Sequence, residues 1–175
     1  IQLIYPTTDV QVPIKPDIKK SPRLQFLDTG LINYANGVQA EMLSMSDLST
    51  AFKGSIIPHL LTQELISLNK IRNPKPNFWV REKNQASSEV DLVYSYQDKV
   101  IPIEIKSGKV GTLKSLHQFI EQTNHPYAIR VYGGEFLVEQ TATPKGTPYF
   151  LMNLPYYLGT KIPEYIEYFV RNYKL

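Results

Sequence analysis

The feature that most restricts this chain is a pair of alternating runs separated by a short polar break. In Ile101-Pro102-Ile103-Glu104-Ile105-Lys106 an isoleucine occupies every second position. A strand here sets Ile101, Ile103 and Ile105 on one side and Pro102, Glu104 and Lys106 on the other. The preceding run, Glu89 to Tyr96, reads as a second strand with Glu89, Asp91 and Val93 sharing a face. A hairpin with Gln97-Asp98 as its loop places Asp91 opposite Glu104 and Glu89 opposite Lys106. Gln-Asp is a poor two-residue turn beside Asn-Gly or Asp-Gly, and a longer, bulged loop would shift the register.

In that register two carboxylates stand about 5 Å apart with Lys106 one step along. Like charges directly opposite are destabilising, and a divalent cation resolves the conflict: Mg²⁺ is typically held by one or two carboxylates plus waters and phosphate oxygens. Lys106 would then activate a water or stabilise charge on a phosphate. A plainer reading stands beside this one. Glu-x-Lys is common on solvent-facing strands, and Glu89 opposite Lys106 makes an ordinary cross-strand ion pair.

A length of 175 residues suits one domain, with room for a small appendage, able to bury a substantial core. Without cysteine there is no disulfide scaffold, Cys-ligated zinc or thiol nucleophile, and a cytoplasmic location is expected. No segment approaches a membrane span. The formal charge of +3 permits contact with nucleic acid without demanding it. The start at Ile1 carries no signal-peptide pattern and reads as a cut from a longer protein.

Ile1 to Val12 reads as one or two short strands, followed by a basic, proline-punctuated connector holding Lys15, Lys19, Lys20 and Arg23. That connector is a solvated linker or a phosphate-contacting arm. A short strand from Leu24 leads through Asp28-Thr29, as N-cap, into a helix at Gly30 to Ala35 that Asn36-Gly37 ends. Ser46-Asp47 starts another helical piece. Ser55 to Asn69 is the strongest helix, with Ser55 as N-cap, Pro58 in its first turn and an apolar stripe of Ile57, Leu60, Leu61, Leu65 and Leu68. Glu64 interrupts that stripe, either as a liganded acid or as a solvated edge residue. His59 and Gln63 read as surface positions.

Asn77 to Arg81 reads as a strand, and Thr112 caps a helix to about Gln122 with Leu113, Leu116, Phe119 and Ile120 inward. Strands follow at Tyr127 to Tyr132, Phe136 to Thr141 and Tyr149 to Met152. Leu154 to Leu158 and Pro163 to Tyr173 read as helical, the second with Tyr165, Ile166, Phe169 and Val170 inward. The order helix, three strands, helix, strand is that of an α/β domain with a mixed sheet. A P-loop is excluded, since Gly108-Lys109 lacks the upstream glycine and the following Ser or Thr. His59, His117 and His125 have no serine elbow to serve.

An acid on the first helix, Asp91 on the second strand and Glu104-x-Lys106 on the third resemble the PD-(D/E)XK, restriction-endonuclease-like core. Phe26-Leu27-Asp28-Thr29-Gly30-Leu31, Gln63-Glu64-Leu65, Trp79-Val80-Arg81, Glu89-Val90-Asp91-Leu92-Val93 and Ile101 to Gly108 narrow the likeness. Together they are similar to the carboxy-terminal nuclease-like domains of bacterial and archaeal AAA-type ATPases, a domain usually described as of unknown function. The resemblance covers about Ser21 to Tyr132.

It implies metal-dependent hydrolysis of DNA with Mg²⁺ or Mn²⁺, held by Asp91, Glu104 and the Ile105 carbonyl. Lys106 would act on the attacking water and Glu64 as an auxiliary acid. Lys109 and Lys114 are candidate contacts to the nucleic-acid backbone. An ATPase and a winged-helix module would precede the domain, with residues 1–20 as an arm or winged-helix remnant and 21–175 as the nuclease-like part. Two departures stand out. Val90-Asp91 lacks the proline that names the fold, and Pro58 occupies a position often acidic in such relatives. A catalytically silent DNA- or partner-binding module, and a scaffold without nucleic-acid contact, are the rival expectations. The oligomeric state is left open.

Overall fold

The computed structural model describes residues 1–44, 56–68, 76–81, 88–106, 108 and 111–175. Alternating strands and amphipathic helices give a mixed α/β architecture. The strands are β1 (Gln2–Ile4), β2 (Pro6–Thr7), β3 (Arg23–Gln25), β4 (Asn77–Val80), β5 (Glu89–Tyr96), β6 (Lys99–Ile105), β7 (Tyr127–Tyr132), β8 (Leu137–Ala142) and β9 (Pro148–Pro155). The helices are α1 (Thr29–Ala35), α2 (Gln39–Ser44), α3 (Ile56–Leu68), α4 (Lys114–Ile120) and α5 (Ile162–Asn172), with a short 3₁₀ helix at Tyr156–Lys161. Among the described residues, seven strands form one sheet in the order β2-β4-β5-β6-β7-β9-β8, and β1 pairs with β3 apart from it.

Isoleucine alternation on β6 settles which face is which. Ile101, Ile103 and Ile105 pack with Ile57, Leu61 and Leu65 of α3 and with Ile162, Ile166 and Phe169 of α5. Val100 packs on the other side with Leu116, Phe119 and Ile120 of α4, beside Trp79, Ala128 and Tyr149. Each of the Ile, Leu, Val and Phe side chains among these contributes about 1.5–3 kcal/mol by leaving water. Helix α4 carries the chain from β6 to its parallel neighbour β7, and β9 extends the parallel block beside β7. Segment 1–20 is built into both layers: β2 pairs with β4, and Val10, Val12 and Ile14 pack against the α4-side core.

Most expected elements appear near their expected bounds, with informative exceptions. Asp28 caps α1 by accepting the Leu31 N–H at 3.2 Å, and Gly37 takes the positive φ of +67° at its exit. Helix α4 begins at Lys114 after Leu113, with no side-chain cap, so Thr112 does not serve as one. Leu68 is 46% exposed, while Thr62 is buried and returns its hydroxyl to the Pro58 carbonyl at 2.8 Å. The buried ridge of α3 therefore bends toward its first turns. Strand β9 runs on to Pro155 where a helix from Leu154 was expected, because the alternation of Phe150, Met152 and Leu154 into the α3-side core continues. Gly159 allows the 3₁₀ helix to meet α3: a Cβ there would overlap the Leu61 side chain. The helical start expected at Ser46-Asp47 and the cap at Ser55 lie outside the described residues.

Candidate functional site

The β5–β6 ladder fixes the hairpin register. Tyr96 pairs with Lys99, Tyr94 with Ile101, Val93 with Pro102 and Leu92 with Ile103. The turn is Gln97-Asp98, as expected, and Gln97 tolerates a φ of +54° to close it. On its other side β5 faces β4, where Asn77 pairs with Val93 but Trp79 pairs with Val90. Both Asp91 and Leu92 therefore oppose Phe78, which is a β-bulge with one extra residue on β5.

That extra residue redirects the key aspartate. Val90 and Val93 both join the α4-side core, which simple alternation forbids. Leu92 packs toward α3, and Asp91 lines a cavity on that side with it. Glu104, alternating with Ile103 and Ile105, belongs to the α4 face. The expectation that Asp91 and Glu104 share one face through unbroken alternation is thus corrected by the bulge. The Asp91 Oδ2 atom accepts the Ile105 N–H at 2.8 Å. In the unbulged register that N–H would face Val90 across the ladder, so a side chain replaces a main-chain acceptor at this end of the hairpin.

The electrostatics remain coupled across the gap. Burial, together with the charge of Asp91, pushes the Glu104 carboxyl up to about 6, against the pull of Lys106 and Arg23. Burial also raises Asp91, opposed by the Ile105 N–H, Arg23 and Lys106. Lys106 Nζ donates to Glu104 Oε1 at 2.5 Å, and Glu104 has a side chain only 8% exposed. Its Oε2 is buried without a hydrogen-bond partner among the described residues. The stem of Lys106 lies against Gly111, where a Cβ would come within 2.8 Å of Lys106 Cδ. A glycine there leaves the lysine room to reach back to Glu104.

The cavity beside Asp91, of about 130 Å³, is lined by Ile4, Arg23, Gln25, Pro58, His59 and Thr62 among others. Arg23 was expected in a connector. Instead its guanidinium lies 4.2 Å from the Phe78 ring centroid, ion-pairs with Glu89, donates to the Asp91 carbonyl at 3.1 Å and approaches Asp91 Oδ1 at 3.8 Å. His59, read as a surface residue, stands with its Nε2 3.1 Å from Gln25 Nε2, and burial lowers its pKa. The same amide donates to the Phe26 and His59 carbonyls at 2.7 and 3.1 Å, which ties β3 to the first turn of α3.

Neither Glu64 nor the two lysines complete the group. Glu64 stands about 200° round α3 from Thr62 and does not line the cavity. Pro58 faces that cavity instead. Lys114 is exposed at the start of α4, in a groove of about 610 Å³ that also takes in Arg81 and Lys145. Lys109 lies outside the described residues. Among the described residues no group of three or more His, Asp or Glu side chains is placed to hold a metal ion.

A family model described as Domain of unknown function (DUF4143) matches residues 53–154, more than half of the chain. The chain belongs to this family. Comparison with curated proteins and with solved structures finds no match. The DUF4143 match holds Glu64, Asp91, Glu104, Ile105, Lys106 and Lys114 but stops short of Arg23. The salt bridge to Glu89 and the contact with Asp91 thus come from a segment outside the matched DUF4143 residues.

Whether these residues suit a divalent cation turns on Glu104. Its Oε2 is an unpartnered buried acceptor, and its charged form is disfavoured by burial and by Asp91. Only Glu104 offers a spare oxygen, since the bulge turns Asp91 to the α3 side, where the Ile105 N–H and Arg23 engage its carboxyl. One such oxygen fits a cation that takes most of its ligands from water and phosphate, with Asp91 adding charge nearby.

Proposed function

We propose that this DUF4143 domain is a nuclease-like module with a restriction-endonuclease-like core that hydrolyses phosphodiesters of DNA. The observation that carries the reading is the spare, buried oxygen of Glu104, held beside Lys106 and opposed by the charge of Asp91. Glu104 and the Ile105 carbonyl would hold Mg²⁺ or Mn²⁺ at the open end of the hairpin, and Asp91, turned to the α3 side by the bulge, would join through a water. When bound, the ion supplies Lewis-acid stabilisation of charge on the phosphoryl oxygens. Lys106 holds Glu104 in place and presents an ammonium group to the attacking water or the phosphate. The reading draws on no contribution from Glu64. It includes an upstream ATPase and winged-helix module in the parent protein, which would present the DNA.

A second reading has its own support. Arg23 already engages Asp91, and Pro58 faces the cavity where an acid would strengthen a metal site. On that reading the domain is a silent DNA- or partner-binding module that targets the attached ATPase.

The test is supercoiled plasmid incubated with the 175-residue chain and Mn²⁺, beside Asp91→Ala and Lys106→Ala. Nicking that needs metal and falls roughly 10²–10⁴-fold in both variants supports hydrolysis. Salt-dependent DNA binding without nicking supports the silent module, and no DNA binding at all removes hydrolysis and leaves only a module that binds a protein partner.

A further inference from the structure

The α4 face of the sheet carries a row of polar side chains that the proposed chemistry leaves unused. Glu104 on β6 is the register partner of Arg130 on β7, and Arg130 is the partner of Asn153 on β9. Asn153 is fully buried and donates to Glu139 Oε1 on β8 at 2.8 Å. The neighbouring positions on this face are apolar: Ala128, Tyr149 and Leu151 pack under α4. Polar residues crossing the middle of such a sheet need a reason, since each costs free energy unless it is paired.

They are not all paired. Glu104 Oε2, Arg130 Nε and Asn153 Oδ1 are buried without partners among the described residues. Arg130 sits next in register to a buried carboxylate, yet it makes no ion pair within 4.0 Å among the described residues. Its guanidinium instead lies 4.5 Å from the Tyr132 ring centroid, which holds the plane of the fork. Strands β6, β7 and β9 are parallel, and the row lies close to their carboxyl ends, the edge at which open α/β sheets bind ligands. A planar, always-charged fork at that edge matches the two free oxygens of a phosphodiester, as an ammonium cannot.

We propose that Arg130 is a phosphate-positioning residue that grips the phosphodiester of bound DNA beside Glu104 and Lys106, its guanidinium held flat by Tyr132. This rests on the nuclease-like reading for its ligand but not on hydrolysis taking place.

The experiment is fluorescence anisotropy of a labelled duplex oligonucleotide with Ca²⁺ in place of Mn²⁺, over a salt series, for the wild type, Arg130→Gln and Arg130→Lys. Melting curves accompany each protein. Arg130→Gln is expected to weaken binding about tenfold and to lower the log–log salt slope by about one. Arg130→Lys keeps the slope and loses part of the affinity, because it supplies charge without the fork. Unchanged affinity and slope in both variants overturn the proposal and leave Arg130 a structural residue. If Arg130→Gln melts early, Arg130→Lys decides: lowered affinity supports the grip, and wild-type affinity ends it. A wild type that binds and does not nick refutes hydrolysis while leaving this test intact. A wild type that does not bind the duplex refutes the grip.

Discussion

The two ends of the β5–β6 hairpin are made from one alternating sequence and behave oppositely. At the turn end, Tyr94 to Ile101 pair without interruption, and Val100 is fully buried. His125 braces that end by donating Nε2–H to the Val100 carbonyl at 2.8 Å while its Nδ1 accepts the Tyr127 N–H at 3.2 Å. At the open end a bulge turns Asp91 inward, a carboxylate replaces a main-chain acceptor, and like charges sit close together. Along the regular pairing no buried side-chain polar atom lacks a partner among the described residues. The open end leaves charge and a hydrogen-bond acceptor unspent.

The largest way to break the comparison is in its shared core. Ile103→Ala removes a fully buried side chain between the two ends and is expected to cost about 2–5 kcal/mol in a urea melt. Any activity should scale with the folded fraction alone. An equally large loss of activity per folded molecule would show that the ends are not separable.

Acid should then act on the ends with opposite sign. Burial holds His125 down at about 4, below its ordinary value, so the folded state disfavours its protonated form. Its contribution is complete above pH 6.5 and is lost as pH falls toward 4, on the order of 3 kcal/mol. The difference between wild-type and His125→Gln stability across that window measures it. Glu104 runs the other way. With its carboxyl raised from 4.5 to about 6, the folded state prefers the protonated acid, so the cost of its charge builds from pH 4.5 upward and is complete above about pH 6. Glu104→Gln is expected to stabilise the fold by about 1–2 kcal/mol at pH 8 and by almost nothing at pH 4.5. A variant less stable than wild type at pH 8 would mean that the Lys106 pair outweighs the repulsion.

The smallest expected effect lies in the turn. Gln97 holds a left-handed φ of +54° at a cost of about 1–2 kcal/mol, and glycine there gives back about 0.5–1 kcal/mol through its freer unfolded chain. Gln97→Gly should therefore gain roughly 0.5 kcal/mol by thermal melt and leave the proposed DNA binding untouched.

The hairpin register was readable because it depends on two neighbouring runs and the turn between them. The bulge was not, because it arises from pairing with β4, and nothing in Val90-Asp91-Leu92 marks which strand will lie alongside. Alternation carried past Asp91 therefore assigned the wrong face, although it named the right residues for the pairing end. Arg23 and His59 were missed for a related reason. Arg23 sits in a lysine-rich, proline-punctuated stretch, and only the fold brings it onto Phe78 and Asp91, 68 residues on. His59 lies next to Pro58 on the first turn of α3, where a helical wheel centred on Leu61 and Leu65 assigns it to solvent. Arg130 and Asn153 gave a fainter signal that was available: each is a lone polar residue inside an apolar alternating run.

The pairing of β2 with β4 has a practical meaning for anyone trimming the protein. The Asn77 side-chain amide and the Trp79 indole find their acceptors in the carbonyls of Tyr5 and Thr8. Cutting the chain at residue 20 would strip those partners and lay bare a margin bearing Phe78 and Trp79, onto which a second molecule could add a strand. An isolated fragment that precipitates would then be reporting a missing selvedge, not an unstable fold.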